Sequence, residues 1–131
     1  MKKYKMMDLF AGCGGLTEGF MQTNNYKEVA AVEWLLPQVK TLRNRMSKKW
    51  YEVDADEKIL HFDIQREKEL FEGWTDTEFG SGKGLDYFVN AENGIDIIIG
   101  GPPCQAYSVA GRVRDDNGMK DDYRNYLFEH Y

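Results

Sequence analysis

The chain has 131 residues, 42% of them apolar and 14% aromatic, a length that supports one domain with a modest core. No apolar run approaches the ~20 residues that span a bilayer, and the Lys-rich start meets Asp8 too soon for the apolar stretch of a signal peptide. Two distant cysteines, Cys13 and Cys104, make neither a disulfide framework nor a metal cluster, and the net charge of −5 argues against generic affinity for nucleic acid.

These limits predict a soluble cytoplasmic protein with free thiols and no metal. The charge is uneven: residues 1–50 hold nine Lys/Arg against four Asp/Glu, and residues 51–131 hold eight against eighteen. The basic residues Lys40, Arg43, Arg45, Lys48 and Lys49 read as a solvated helix face, so no DNA site is assigned there.

In chain order, Tyr4–Leu9 reads as a first strand, followed by a glycine turn and a helix from Leu16 to about Gln22 with Leu16, Phe20 and Met21 facing inward. Glu28–Val32 reads as a second strand ending at Glu33, and Pro37 suits the first turn of a helix running to about Lys49. Ile59–Phe62 is a short third strand before Asp63. Residues 65–94 carry a helix-like piece, Arg66–Phe71, and a loop-rich insert around Gly80-Ser81-Gly82-Lys83-Gly84. That insert lacks the spacing of a phosphate-binding loop and is read as a flexible connector. Ile95–Ile99, nearly all β-branched, has the pattern of a central parallel strand covered on both faces.

Strands and helices alternating in this way predict an α/β fold, a Rossmann-like open parallel sheet. Ligands on such sheets gather outside the carboxyl ends of the strands, where strand order reverses. Asp8, Gly12, Glu33, Asp63 and Cys104 all fall at or just past strand ends. Gly12, Gly14 and Gly15 permit positive φ and close approach of a ligand, and the following helix offers free N–H groups. Thr17 replaces the third glycine of the dinucleotide fingerprint, which weakens a nicotinamide reading, and on glycines alone a purely structural turn stays open. Glu33, about 20 residues downstream, stands where an acid would hold ribose hydroxyls. Trp34 beside it could stack on a base, although a lone Trp is more often core. Cys104, delivered by an apolar strand onto a Pro-Gln loop, is a candidate nucleophile. Cys13 reads as a spacer in the turn, and His61 and His130 have no ligand or triad partners in the pattern.

Asp8-Leu-Phe-Ala-Gly-Cys-Gly-Gly-Leu16 with Phe20, Glu33-Trp34, Asp63-Ile64, the run Gly100 to Gly111 containing Pro-Pro-Cys-Gln, and Asp122-Tyr-Arg-Asn-Tyr-Leu127 together resemble the bacterial DNA (cytosine-5) methyltransferase family. The resemblance implies the S-adenosylmethionine-dependent methyltransferase type of sheet, incomplete at its C-terminal side. By similarity, Phe10, Ala11, Gly12, Gly14, Gly15 and Leu16 would cradle S-adenosylmethionine, Glu33 would bind its ribose and Trp34 would lie against adenine. Asp63 and Ile64 would read the adenine edge, while Pro103, Asn125 and Leu127 would line the same pocket. Cys104 would be the nucleophile, and a loop with Gln105, Ser108 and Arg112 would close over double-stranded DNA. The implied setting is a bacterial or phage cytoplasm, at the nucleoid, with a role in restriction-modification.

The chemistry needs a thiol, because cytosine C5 is a poor nucleophile until a thiolate adds at C6 and places enamine density on C5. The base must leave the stack to be reached. The chain ends at Tyr131, before the family's Glu-Asn-Val motif, its Arg motif, its target-recognition region and its returning C-terminal segment. The expectation is therefore one partial catalytic domain over residues 1–131 with little methyl transfer on its own. An alternative is a non-catalytic S-adenosylmethionine-binding or assembly module. It would dock a complementary C-terminal chain, or a second copy, on the exposed edge of Ile95–Ile99. A nicotinamide-dependent reductase half ranks below both.

Overall fold

The computed structural model describes residues 2–102. Strand β1 (Tyr4–Leu9) runs into helix α1 (Gly15–Gln22), then β2 (Tyr26–Glu33), α2 (Leu36–Lys48), the single turn α3 (Ala55–Lys58) and β3 (Ile59–His61). Helix α4 (Glu67–Glu72), strands β4 (Trp74–Asp76) and β5 (Gly80–Gly82), helix α5 (Leu85–Ala91) and β6 (Ile97–Gly100) follow. The main sheet has the order β3-β2-β1-β6 with every pair parallel, and β4 and β5 form a separate antiparallel pair. This is the α/β, Rossmann-like parallel sheet expected, and its order reverses beside β1, between β2 and β6.

Each face of the sheet is buried. Met7 and Leu9 of β1 pack with Phe62, Leu70, Trp74, Leu85 and Phe88 on the side of α4 and α5. Met6 points the other way, into a cluster with Met21, Val39, Leu42, Met46 and Ile59 from α1, α2 and β3. In α2 the buried residues Val39, Leu42 and Met46 recur at helical spacing, Pro37 sits in the first turn, and Arg45 and Lys48 face the negative end of the helix dipole.

Three expectations need correction. Leu16 is not inward: it is 45% exposed, and Thr17 takes the buried place in α1 beside Met21, with Phe20 only partly buried. The insert around residues 80–84 is not a flexible connector. Trp74 stacks on Phe62 with ring centroids 4.0 Å apart, Phe79 N donates to Asp76 at 2.6 Å, and Arg66 Nη2 donates to Asp76 at 2.8 Å. Gly82 passes so close to Trp74 that a Cβ there would lie 2.3 Å from the indole. Finally, β6 is an edge among the described residues, as the docking alternative expected, but it is not covered on both faces as its β-branched run suggested. Its run starts at Ile97, because Asp96 N donates to Lys5 O at 2.8 Å and Lys5 N to Asp96 Oδ2 at 2.7 Å, and Ile98 is half exposed.

Among the described residues no helix is long and apolar enough to cross a membrane, and no cluster of three potential metal ligands occurs.

Candidate functional site

The parallel sheet brings its carboxyl ends to one rim. Leu9 pairs with Val32 on one side and Gly100 on the other, and Glu33 pairs with His61. From this rim the chain turns through Phe10 (φ 60), Gly12 (φ 59) and Gly14 (φ 87) before α1 begins. Left-handed backbone at a phenylalanine is unfavourable, so the tertiary structure must hold it in place. It does so by two main-chain bonds, Ala11 N to Val32 O at 2.9 Å and Gly14 N to Ala11 O at 3.0 Å. Gly14 is required twice over, since a Cβ would also sit 2.3 Å from Leu42 Cδ1, whereas at Gly12 and Gly15 the added carbon would meet nothing within 4 Å among the described residues. The turn therefore rests on α2 at Gly14 and, among the described residues, is uncovered at Gly12 and Gly15.

Glu33 is tied to that turn. Its Oε2 accepts from Gly12 N at 2.7 Å and its Oε1 from Leu35 N at 3.1 Å. One carboxylate thus fixes both the glycine turn and the start of α2, and each oxygen keeps a lone pair for a further donor. Trp34, next in the chain, is 44% exposed rather than part of the core. Past β3, Asp63 Oδ1 accepts from Gln65 N at 2.9 Å, and the Ile64 side chain packs in the core with Phe62 and Leu70.

The structure thus gathers Phe10, Ala11, Gly12, Gly14, Gly15, Leu16, Glu33, Trp34 and Asp63 around the ends of β1, β2 and β3. Ile64 follows directly but turns its side chain away into the core. Pro103, Cys104, Gln105, Ser108, Arg112, Asn125 and Leu127 lie outside the described residues. Gly100, four positions before Cys104, pairs with Leu9 at the same rim. Cys13 is an exposed free thiol within the turn.

Behind the turn lies a group of buried polar residues, and Asp8, expected among the ligand-facing groups at the strand ends, is one of them. Asp8, in β1, is 1% exposed and accepts from the fully buried Thr17 Oγ1 at 2.6 Å, pinning α1 to the strand. Burial pushes the Asp8 carboxyl up to about 6, the Thr17 hydroxyl opposes that rise and the charge of Glu33 adds to it. Glu28 and Lys58 are buried in the same region. An isolated Glu inside the β-rich run of β2 was the available signal for Glu28; nothing local marks Thr17 or Lys58.

A family model described as C-5 cytosine-specific DNA methylase matches residues 4–131. The chain is 31% identical to Type II methyltransferase M.Bpa9945I of Bacillus paralicheniformis, an alignment covering 96% of this chain and 36% of that protein. It is 30% identical to DNA (cytosine-5-)-methyltransferase M.ApeKI of Aeropyrum pernix, over 100% of this chain and 26% of that protein. With Type II methyltransferase M.HgiGI of Herpetosiphon aurantiacus it shares 32% identity over 86% of this chain and 68% of that protein. M.Bpa9945I and M.ApeKI are thus much longer than the segment matched, about a third or less of each.

Proposed function

Because the chain belongs to the C-5 cytosine-specific DNA methylase family, we propose that it forms the S-adenosylmethionine-binding half and the nucleophile segment of a DNA (cytosine-5) methyltransferase. The observation that carries this reading is the bonded pair Glu33–Gly12 at 2.7 Å, a carboxylate already oriented by the glycine turn it faces. Ribose presents two vicinal hydroxyls, and a carboxylate with one free lone pair on each oxygen suits them.

The residues at this rim fit such a cofactor. The open space at Gly12 and Gly15 lets a ligand approach the main chain, exposed Trp34 offers a flat apolar face for a base, and Asp63 offers an acceptor to an amino group. Phe10 and Leu16 supply apolar walls, Ala11 continues the turn at Gly14, and Ile64 contributes its main chain. Pro103, Asn125 and Leu127 are assigned to the same pocket by family resemblance. When bound, the cofactor supplies an electrophilic methyl group on sulfur.

Cys104 acts as a thiolate. Its sulfur adds to C6 of a cytosine flipped out of double-stranded DNA, C5 gains electron density and takes the methyl group, and then the C5 proton leaves and the C6–S bond breaks. Gln105, Ser108 and Arg112 belong to the segment assigned to closing over the DNA. Methyl transfer by the 131-residue chain alone is expected to be slight, since the family's ring-protonating carboxylic acid motif has no counterpart in the sequence.

Among the described residues β6 is an edge strand, which favours a second reading in which the chain binds the cofactor and docks a complementary chain or a second copy there. Calorimetry with S-adenosylmethionine and with NAD tests the cofactor assignment: binding of the first alone is expected, and binding of NAD alone would refute it. Trapping on DNA containing 5-fluorocytosine separates the two readings. An adduct formed by this chain supports catalysis, and one formed only after a complementary polypeptide is added supports the second.

A further inference from the structure

The buried polar group behind the turn is not used by the chemistry above. In parallel strands, paired residues share a face, so the pairing of Met6 with Glu28 puts Glu28 on the face that Asp8 also uses, two residues along β1. A register shift between Met6 and Met7 makes Val29 the extra residue of β2 at that point. Thr17 of α1 closes over both acids: its hydroxyl donates to Asp8 Oδ2 and also favours the charged form of Glu28. A hydroxyl has a single hydrogen to give, and here Asp8 has it.

Glu28 is fully buried, and neither of its carboxyl oxygens has a hydrogen-bond partner among the described residues. Asp8 Oδ1 is also without one. The neighbouring cation is engaged elsewhere: Lys58 Nζ donates to the main-chain oxygen of Glu28 at 3.0 Å, ion-pairs with Glu52 and lies 4.0 Å from Asp54. The titratable groups facing Glu28 are therefore Asp8 from β1, Lys58 from α3, and Asp54 from the loop before α3, with Glu52 behind Lys58. An ionised carboxylate buried in this way is unfavourable, so the acid holds its proton to higher pH than an exposed glutamate. Burial raises the Glu28 carboxyl to about 7; Lys58 and Thr17 draw it down, and Asp8 and Asp54 push it up.

We propose that Glu28 is a positioning residue whose bound proton keeps the Thr17–Asp8 clasp closed and the first turn of α1 seated, so that loss of this proton weakens S-adenosylmethionine binding. Neutral Glu28 tolerates an ionised Asp8 holding the only hydroxyl hydrogen. Ionised Glu28 becomes a second buried negative charge that repels Asp8 and competes for that hydrogen. The clasp bears on the cofactor because Asp8 immediately precedes the turn and Thr17 lies in the helix the turn feeds, a link that rests on the cofactor reading above.

The test uses the 131-residue chain and Glu28→Gln, which mimics the protonated acid. Ligand-free amide hydrogen exchange follows α1, where Glu18 N bonds Gly14 O at 2.8 Å. In the wild-type chain, protection corrected for intrinsic rates should fall severalfold, up to about tenfold, from about pH 6 to about pH 8. In Glu28→Gln it should fall less, by the part that Asp8 contributes near pH 6. The affinity for S-adenosylhomocysteine should follow the same two profiles, falling more steeply in the wild type. Equal pH profiles in the two proteins would overturn the inference, as would a changing α1 with unchanging affinity. If Glu28→Gln does not fold, carboxyl-carbon NMR of the wild type decides: titration of Glu28 near neutrality supports the clasp, and titration in the ordinary carboxylate range refutes it. Failure of either protein to bind the ligand at any pH, with exchange still pH-dependent, would sink the cofactor reading and leave the clasp standing.

Discussion

At the scale of single residues, Glu33 joins the turn and α2 by two main-chain bonds, and the proposed cofactor binding rests on it. Hydrogen bonds to a charged group contribute about 1.5–3 kcal/mol each, so Glu33→Ala should weaken S-adenosylmethionine binding at least about tenfold in calorimetry. An unchanged circular dichroism spectrum would show that the loss is local. Cys104→Ser should abolish the adduct with 5-fluorocytosine DNA while leaving cofactor affinity within about twofold, since an alkoxide is much harder to form than a thiolate. A persisting adduct would place the nucleophile elsewhere. The place of Glu33, at the end of the second strand beside the glycine turn, was legible in the sequence. Thr17 was legible only as a missing glycine. Its actual work, bonding a buried Asp8 nine residues earlier, depends on which face of α1 meets the sheet. The sequence pattern put Leu16 on that face, and the structure puts Thr17 there.

At the scale of elements, β1, α2 and β3 could be read almost to their ends, because apolar runs and helical spacing of Val39, Leu42 and Met46 are local signals. The β4–β5 pair and α5 could not. Gly80-Ser81-Gly82 has the composition of a linker, and it forms a strand because Trp74, its partner across the hairpin, is stacked on Phe62 and gives it something to pack against. Gly82→Ala would drive a methyl into the buried indole of Trp74 and should destabilise the chain by about 1–3 kcal/mol in urea unfolding. Ser81→Ala, at an exposed neighbour, should change stability by less than about 0.5 kcal/mol. Equal effects would mean that the hairpin is not held by Trp74.

At the scale of the whole molecule, buried charge should make stability depend on pH. Asp8 and Glu28 titrate above the usual carboxylate range in the folded chain because of burial, so the folded state binds extra protons there. Their contribution is fully present at acid pH and is lost as pH rises through about 6 and 7. Burial lowers Lys58 to about 8, which has the opposite consequence: stability recovers as pH climbs from there toward the usual lysine range. The midpoint of urea unfolding should therefore dip between neutrality and mildly alkaline pH, and a monotonic rise from pH 5 to pH 9 would contradict this balance. On the proposed function, the rim formed by β1 and β2 seats a methyl donor in front of Cys104. A crystal structure of the chain with S-adenosylhomocysteine should show ribose hydroxyls on the Glu33 carboxylate, adenine beside Trp34 and the Cys104 sulfur facing the ligand's thioether. A ligand bound elsewhere, or a Cys104 sulfur turned to the opposite side of the sheet, would overturn the proposal.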